Sequence, residues 1–199
     1  VLQPDTILNV NNSISELDNF AILSPVSDNP GYPNYRLDYS KSINYKGNII
    51  RDVKEIDGYS MIINKKNFSD NIFFDEKIFM YLENVDLCLR ARKKNGKIFI
   101  IKNSKIHHLG AKAVDDKYSE EIELSRNWHW MWSKLYFNKK HRGIFISSLL
   151  GLISLLGNFL KYSIYLITFN KKRNIYRMRM SGIINSFLGK QSWYRPEIN

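Results

Sequence analysis

The chain has 199 residues, 44% of them hydrophobic, and a net charge of +11 from 30 Lys/Arg against 19 Asp/Glu. This length and apolar content allow one domain with a buried core plus an appendage, and exclude a disordered tail. A single cysteine, Cys88, excludes an internal disulfide and a thiolate zinc cluster, and points to the cytosol or the cytosolic face of a membrane. The charge is uneven: residues 1–90 hold 9 Lys/Arg and 13 Asp/Glu, whereas residues 125–199 hold 13 Lys/Arg and one acid. The basic character belongs to the C-terminal part and suits nucleic acid, anionic lipid or phosphorylated molecules, without choosing among them.

In chain order, "VLQPDTIL" opens without an initiator Met or a basic leader and reads as part of a longer protein. Within it, Gln3 and Asp5 put an amide and a carboxylate two residues apart at the expected end of a strand, oxygen donors of the kind that hold Mg²⁺ or Mn²⁺. Phe20 to Val26 is a short apolar strand, followed by a surface loop rich in Pro, Gly and Asn. Ile56 to Lys66 reads as a strand entered through Asp57-Gly58, the glycine allowing close approach of a ligand to the backbone. Glu83 to Lys94 carries the three-and-four spacing of a helix, closed by Asn95-Gly96. "KIFIIKNSKIHHLG" predicts a strand, a turn at Asn103-Ser104, and a second strand ending at His107-His108. This strand, helix, strand order is an α/β arrangement, whose sites lie at strand ends. His108 there adds a possible metal or phosphate contact.

Beyond Gly110 the pattern becomes helical. Ser119 with Glu120, Glu121 and Glu123 marks a helix start running through "LSRNWHWMWSKLYF". Ile144 to Phe169 then forms 26 residues whose only charge is Lys161, with basic clusters on both sides. A membrane span needs about 20 apolar residues, and Ile144 to Leu160 supplies 17 before the lysine. An interfacial helix on an anionic leaflet fits the two basic flanks best; a spanning helix and a buried helix of a soluble bundle are the alternatives.

Glu83 and Asp86 lie on one side of the first turn of the expected helix, where unpaired N–H groups favour negative charge, and Asp86 can pair with Arg90 at i+4. Alone, the pair reads as a charged helix start. Read together, "LQPDTIL", "EIDGYSMIINKKNF", "FFDEKIFMYLENVDLCLRARKKNGKIFII" and "SKIHHLGAKA" resemble, in this order, the second half of family 2 glycosyltransferases, nearest the rhamnosyltransferase-like members that build bacterial surface polysaccharides. The resemblance covers about residues 1–115 and continues more loosely through "SRNWHWMWSKLYF".

It implies an α/β fold: the acceptor-side half of a Rossmann-like GT-A domain over residues 1–115, with the nucleotide-binding half upstream, then a helical, membrane-associated region over 116–199. The chain by itself is then expected to be inactive. The implied reaction moves a sugar, rhamnose in the commonest assignment, from a nucleotide-sugar to a glycan or lipid-linked glycan at the cytoplasmic face of the inner membrane, with inversion. The family's metal triplet falls on Gln3-Pro4-Asp5, so Asp5, Gln3 and His108 are the implied contacts to a divalent Mg²⁺ or Mn²⁺ cofactor. Asp57, Gly58, Arg90 and Lys112 are the implied substrate contacts, Lys112 standing where the family usually has serine. The family's usual base falls on Asn84, which cannot accept a proton, so Glu83 or Asp86 must serve; Arg90 would lower the basicity of Asp86, which favours Glu83. Two other readings remain: a non-catalytic transferase remnant, and a basic module whose tryptophans stack on nucleic-acid bases.

Overall fold

The computed structural model describes residues 1–37, 44–45, 49–68, 72–109 and 115–196. The chain is mixed α/β and divides into two compact units, one of residues 1–75 with 83–111, the other of 76–82 with 112–199. The second unit takes in the aromatic loop before Glu83.

The first unit is built on a five-stranded mixed sheet of β1 (Ile22–Ser27), β3 (Asn44–Tyr45), β4 (Ile50–Asp52), β6 (Ile62–Ile63) and β7 (Ile98–Ile106) in the order β3-β4-β7-β1-β6; β2 (Tyr35–Arg36) pairs separately with β5 (Glu55–Ile56). β1 and β7 are parallel, while β4 and β6 run antiparallel to their neighbours. The alternation along β7 serves both faces. Ile98 and Ile100 meet Leu87, Cys88 and Ala91 of helix α2 (Glu83–Lys93), whereas Phe99 and Ile101 pack with Val10 of helix α1 (Thr6–Glu16). Strands buried on both faces read as continuous apolar runs, as "IFII" does.

Three expectations are corrected. Residues 6–16, read as part of a strand-and-turn region, form α1. Ile56 to Lys66 is not one strand: Asp57-Gly58 lies in a turn between β5 and the two-residue β6. The turn expected at Asn103-Ser104 is a bulge inside a single strand, since Pro25 pairs with Ile101 but Val26 with Lys105. The bulge is held by α1: Asn9 Nδ2 donates to Asn103 O at 2.9 Å, Ser104 Oγ to Thr6 O at 2.9 Å, and Thr6 Oγ1 to Lys105 O at 2.5 Å. α2 ends as anticipated, with Asn95 left-handed (φ 60°) and Gly96 N–H donating to Ala91 O at 2.9 Å.

The second unit is a helical bundle of α3 (Ser119–Arg142), α4 (Ile144–Ile167) and α5 (Arg173–Phe187), with α4 packed on both other helices. Trp128, Trp132, Leu124 and Met178 fill one core cluster and Met131, Leu135 and Ile183 another. Trp128 and Trp132 of the tryptophan stripe are thus interior residues. α4 is inside out. Its buried residues are Ser147, Gly151 and Asn158, while Phe145, Leu149, Leu152, Ile153, Leu156, Phe159 and Leu160 face outward, Phe145 82% exposed.

Candidate active site

The parallel strands β1 and β7 end on the same edge of the sheet, where α/β folds place ligands. Asp28 follows β1, and His107 and His108 follow β7. Asp28 accepts from His107 Nδ1 at 3.0 Å and from Gln3 Nε2 at 3.4 Å. His108 does something different: its ring lies on Tyr59, centroids 4.0 Å apart. Two adjacent histidines therefore divide, one tied to a carboxylate and one set against an aromatic face.

The turn bearing Asp57, Gly58 and Tyr59 reaches this edge because β6 is antiparallel to β1: Ile62 pairs with Leu23 and Ser60 O accepts from Ser24 Oγ at 2.7 Å, so the residues before β6 run toward the end of β1. Asn34, fully buried, ties the pieces together. Its Oδ1 accepts from Ser27 N–H at 2.9 Å, its Nδ2 donates to Pro25 O at 2.9 Å and Ser24 Oγ at 3.1 Å, and its carbonyl accepts from Asp57 N–H at 2.8 Å. These bonds satisfy backbone groups of β1 on the side where β6 pairs only with Ile22 and Leu23. Burial raises the Asp57 carboxyl above its ordinary pKa, opposed by the cationic groups of Arg36 and His108. Burial also raises the Tyr59 phenol; Ser27 is close enough to oppose that shift, yet Tyr59 Oη makes no well-formed hydrogen bond. A Cβ built on Gly58 would lie 3.6 Å from both Glu83 Oε1 and Asn84 Cβ, ordinary contact distances, so this turn borders the start of α2.

α2 is entered through two successive left-handed residues, Tyr81 (φ 68°) and Leu82 (φ 67°). Each costs about 1–2 kcal/mol in a residue with a Cβ, and such strain collects where a side chain must be aimed. The next residue is Glu83. Its Oε2 is buried and has no hydrogen-bond partner among the described residues, whereas buried carboxylate oxygens are normally satisfied. Asn84 donates from Nδ2 to Ile56 O at 2.8 Å. Aspartate there would set a carboxylate against that carbonyl, so the asparagine suits its surroundings.

Asp86 and Arg90 have another task. The Asp86 side chain is 0% exposed and receives Arg90 Nε at 2.8 Å. Arg90 Nη1 donates to Ile72 O at 2.9 Å and Nη2 to Phe73 O. The pair clamps a loop onto α2, with every guanidinium nitrogen engaged. Cys88, on the same helix, is buried with its thiol pushed up to about 11, an unreactive packing residue.

Asp5 stands at the N-cap of α1 without a side-chain cap bond and shares a hollow of about 110 Å³ with Gln3, Asn9, Asn103 and Lys105. His108 does not line that hollow. Among the described residues no three of His, Cys, Asp and Glu converge on one point. Gln3 turns its Nε2 to Asp28, leaving Oε1 as its oxygen donor. One carboxylate and one amide oxygen suit a Mg²⁺ or Mn²⁺ whose other positions are filled by phosphate and water, and do not make a protein cage. Lys112 lies outside the described residues.

The sequence reading omitted Asp28, Asn34 and Tyr59. Asp28 and Asn34 lie in the loop dismissed as turn chemistry, and only the register of β1 against β7 brings them to the site; Tyr59 follows Gly58 directly and was legible as an aromatic at a turn. No protein-family model, curated protein or solved structure matches the chain.

Proposed function

We propose that this chain is the acceptor-side half of an inverting glycosyltransferase with a GT-A fold, which moves a sugar from a nucleotide-sugar to a glycan acceptor held at a membrane surface during cell-surface polysaccharide synthesis. The observation that carries the reading is Glu83: a buried, unpartnered carboxylate oxygen at a helix start, aimed by a strained backbone and bordered by a glycine turn. The parallel β1–β7 pair, helices on both faces and a site at the strand ends support the fold assignment, and the ordered resemblance of four sequence blocks supports the reaction class.

Glu83 Oε2 accepts the proton of the acceptor hydroxyl as that oxygen attacks the anomeric carbon from the face opposite the leaving group. A new C–O bond forms, the bond to the nucleoside diphosphate breaks, and its electron pair leaves with the diphosphate; the configuration inverts. His108 and Tyr59 offer a stacked face for a ring, and the partly desolvated Asp57 an acceptor for sugar hydroxyls. A divalent ion, when bound, supplies positive charge to the leaving diphosphate, and Asp5 with Gln3 Oε1 is the donor pair that would hold it.

α4 supplies the membrane contact, lying in the interface. It turns its polar and small residues to the bundle and its large apolar ones outward, the reverse of a soluble helix. Lys134 of α3 lines the same hollow as Leu150, Gly151 and Ser154. A perpendicular α4 would carry this lysine into hydrocarbon, at a cost of about 3 kcal/mol or more; a helix lying flat leaves it in water.

The test is transfer by the full-length protein in membranes, offered a panel of labelled nucleotide-sugars. Label moving to a membrane-bound glycan with inverted linkage is the expected result. Neither transfer nor release of nucleoside diphosphate from any donor would contradict the reading.

A further inference from the structure

The helical unit contains a cleft of about 830 Å³ that the catalytic reading does not use. Lys77, Lys139, Lys140, Lys190 and Arg195 line it, and Glu76 is the single acid among the lining residues. Its aromatic lining comes from Phe79, Trp132 and Tyr136, the last two stacked with ring centroids 5.1 Å apart and planes at 15°. A lining of five cationic side chains and one acid makes this concave surface basic, and a basic concave surface attracts anions.

The cleft is a built feature. Gly189, left-handed at φ 69°, ends α5, and Lys190 N–H returns to Asn185 O at 3.0 Å while Lys190 O accepts from Trp132 Nε1 at 3.0 Å. Arg195 lies with its guanidinium carbon 3.5 Å from the centroid of Phe79, and its Nη1 donates to Ser192 O at 2.9 Å and Tyr194 O at 2.7 Å. The remaining guanidinium donors are not engaged among the described residues. His129 is fully buried behind the segment: its Nε2 donates to Tyr194 O at 2.8 Å, so its Nδ1 accepts from Ser192 Oγ at 2.9 Å. Ser133 Oγ donates to Met80 O at 2.7 Å and holds the loop bearing Lys77 and Phe79 on α3.

We infer that this cleft binds a phosphorylated sugar through its phosphate or diphosphate group, the cations holding the phosphate oxygens and the Tyr136 ring packing against the sugar. A volume near 800 Å³ accommodates a diphosphate with one or two sugar rings. Lysine and arginine are the usual phosphate partners, and a sugar ring presents C–H groups that pack on aromatic faces. The ligand's role as acceptor rests on the transferase reading, since the loop with Lys77 and Phe79 runs directly into Glu83; binding itself does not depend on it. The phosphate belongs either to a lipid headgroup or to a soluble sugar phosphate.

The test measures binding of inorganic pyrophosphate to the full chain, to a Lys139→Gln/Lys190→Gln variant, and to a Lys65→Gln/Lys66→Gln variant of equal charge change in the first unit. All four lysines are surface residues, and matching thermal melts establish that the variants fold. Binding weakened about tenfold or more in the cleft variant, and unchanged in the control, is expected. Phosphatidylcholine vesicles with and without farnesyl diphosphate then assign the source: preferential retention on the doped vesicles means a lipid headgroup, and equal retention means a soluble sugar phosphate. Absence of pyrophosphate binding, or an equal loss in both variants, overturns the inference. If Glu83→Gln abolishes transfer while pyrophosphate does not bind, the cleft assignment fails and the transferase reading stands.

Discussion

Glu83 and Asp86 stand one helical turn apart, yet only Asp86 is locked into a salt bridge. The difference follows from neighbours: Asp86 has Arg90 at i+4, whereas Glu83 follows a left-handed pair that leaves its Oε2 without a donor. Asp86→Asn removes the charge that holds Arg90 and should destabilise the first unit by about 3 kcal/mol, the usual result of breaking a buried pair. Chemical denaturation checks this; a change of midpoint no larger than that of a surface substitution would show the clamp to be unimportant. The i+4 pairing was legible in the sequence because it depends on local spacing alone. The bonds from Arg90 to Ile72 and Phe73 were not, because they depend on where a distant loop returns.

At the scale of elements, the tightest approach at a glycine among the described residues is that of α5 to the α3 backbone. A Cβ on Gly182 of α5 would sit 2.4 Å from Trp128 O of α3, a contact that no side-chain rotation relieves. Gly182→Ala should therefore separate α3 from α5 and destabilise the bundle by at least about 3 kcal/mol, read as a lowered melting temperature; an unchanged melt would mean that the helices cross elsewhere. His129 makes the same unit sensitive to pH. Burial, aided by the Arg195 cation and opposed by the bond to Tyr194 O, lowers its pKa, so the unfolded chain binds a proton that the folded one resists. Stability is complete above the ordinary histidine value near 6.5 and falls as pH drops below it. Melting at pH 7.5 and 5.5 should show a loss that disappears in His129→Gln; an equal loss in both proteins would assign the effect to another group. Helices α2 and α3 were visible from periodicity and caps. α1 was missed because "TILNVNNSISE" is rich in asparagine and serine, weak helix formers, and forms through burial of Val10 and the bonds of Thr6 and Asn9 to the β7 bulge.

For the whole molecule, the proposed contact with an anionic surface rests on the apolar outward face of α4 and the basic C-terminal part. Leu152→Asp/Leu156→Asp should leave the helical content intact and release the protein from phosphatidylglycerol vesicles by about a hundredfold, since each leucine contributes roughly 1.5–3 kcal/mol when buried. Co-sedimentation reads this, and unchanged retention would place the contact elsewhere. The inside-out packing was not readable from composition, because three readings of the apolar run share one sequence; the burial of Ser147, Gly151 and Asn158 with the large apolar side chains outward counts against the buried helix alone. The site was half legible: Glu83, Asp57 and His108 carry chemistry that a sequence displays, whereas Asp28 and Asn34 join them only through strand order. For Glu83 as the proposed base, the most direct measurement compares transfer by full-length wild-type protein with that by Glu83→Gln, alongside their melting temperatures. The predicted result is a fall in kcat of about a hundredfold or more, with melting unchanged or raised because a buried unpartnered charge has been removed; a kcat within twofold of wild type would contradict it.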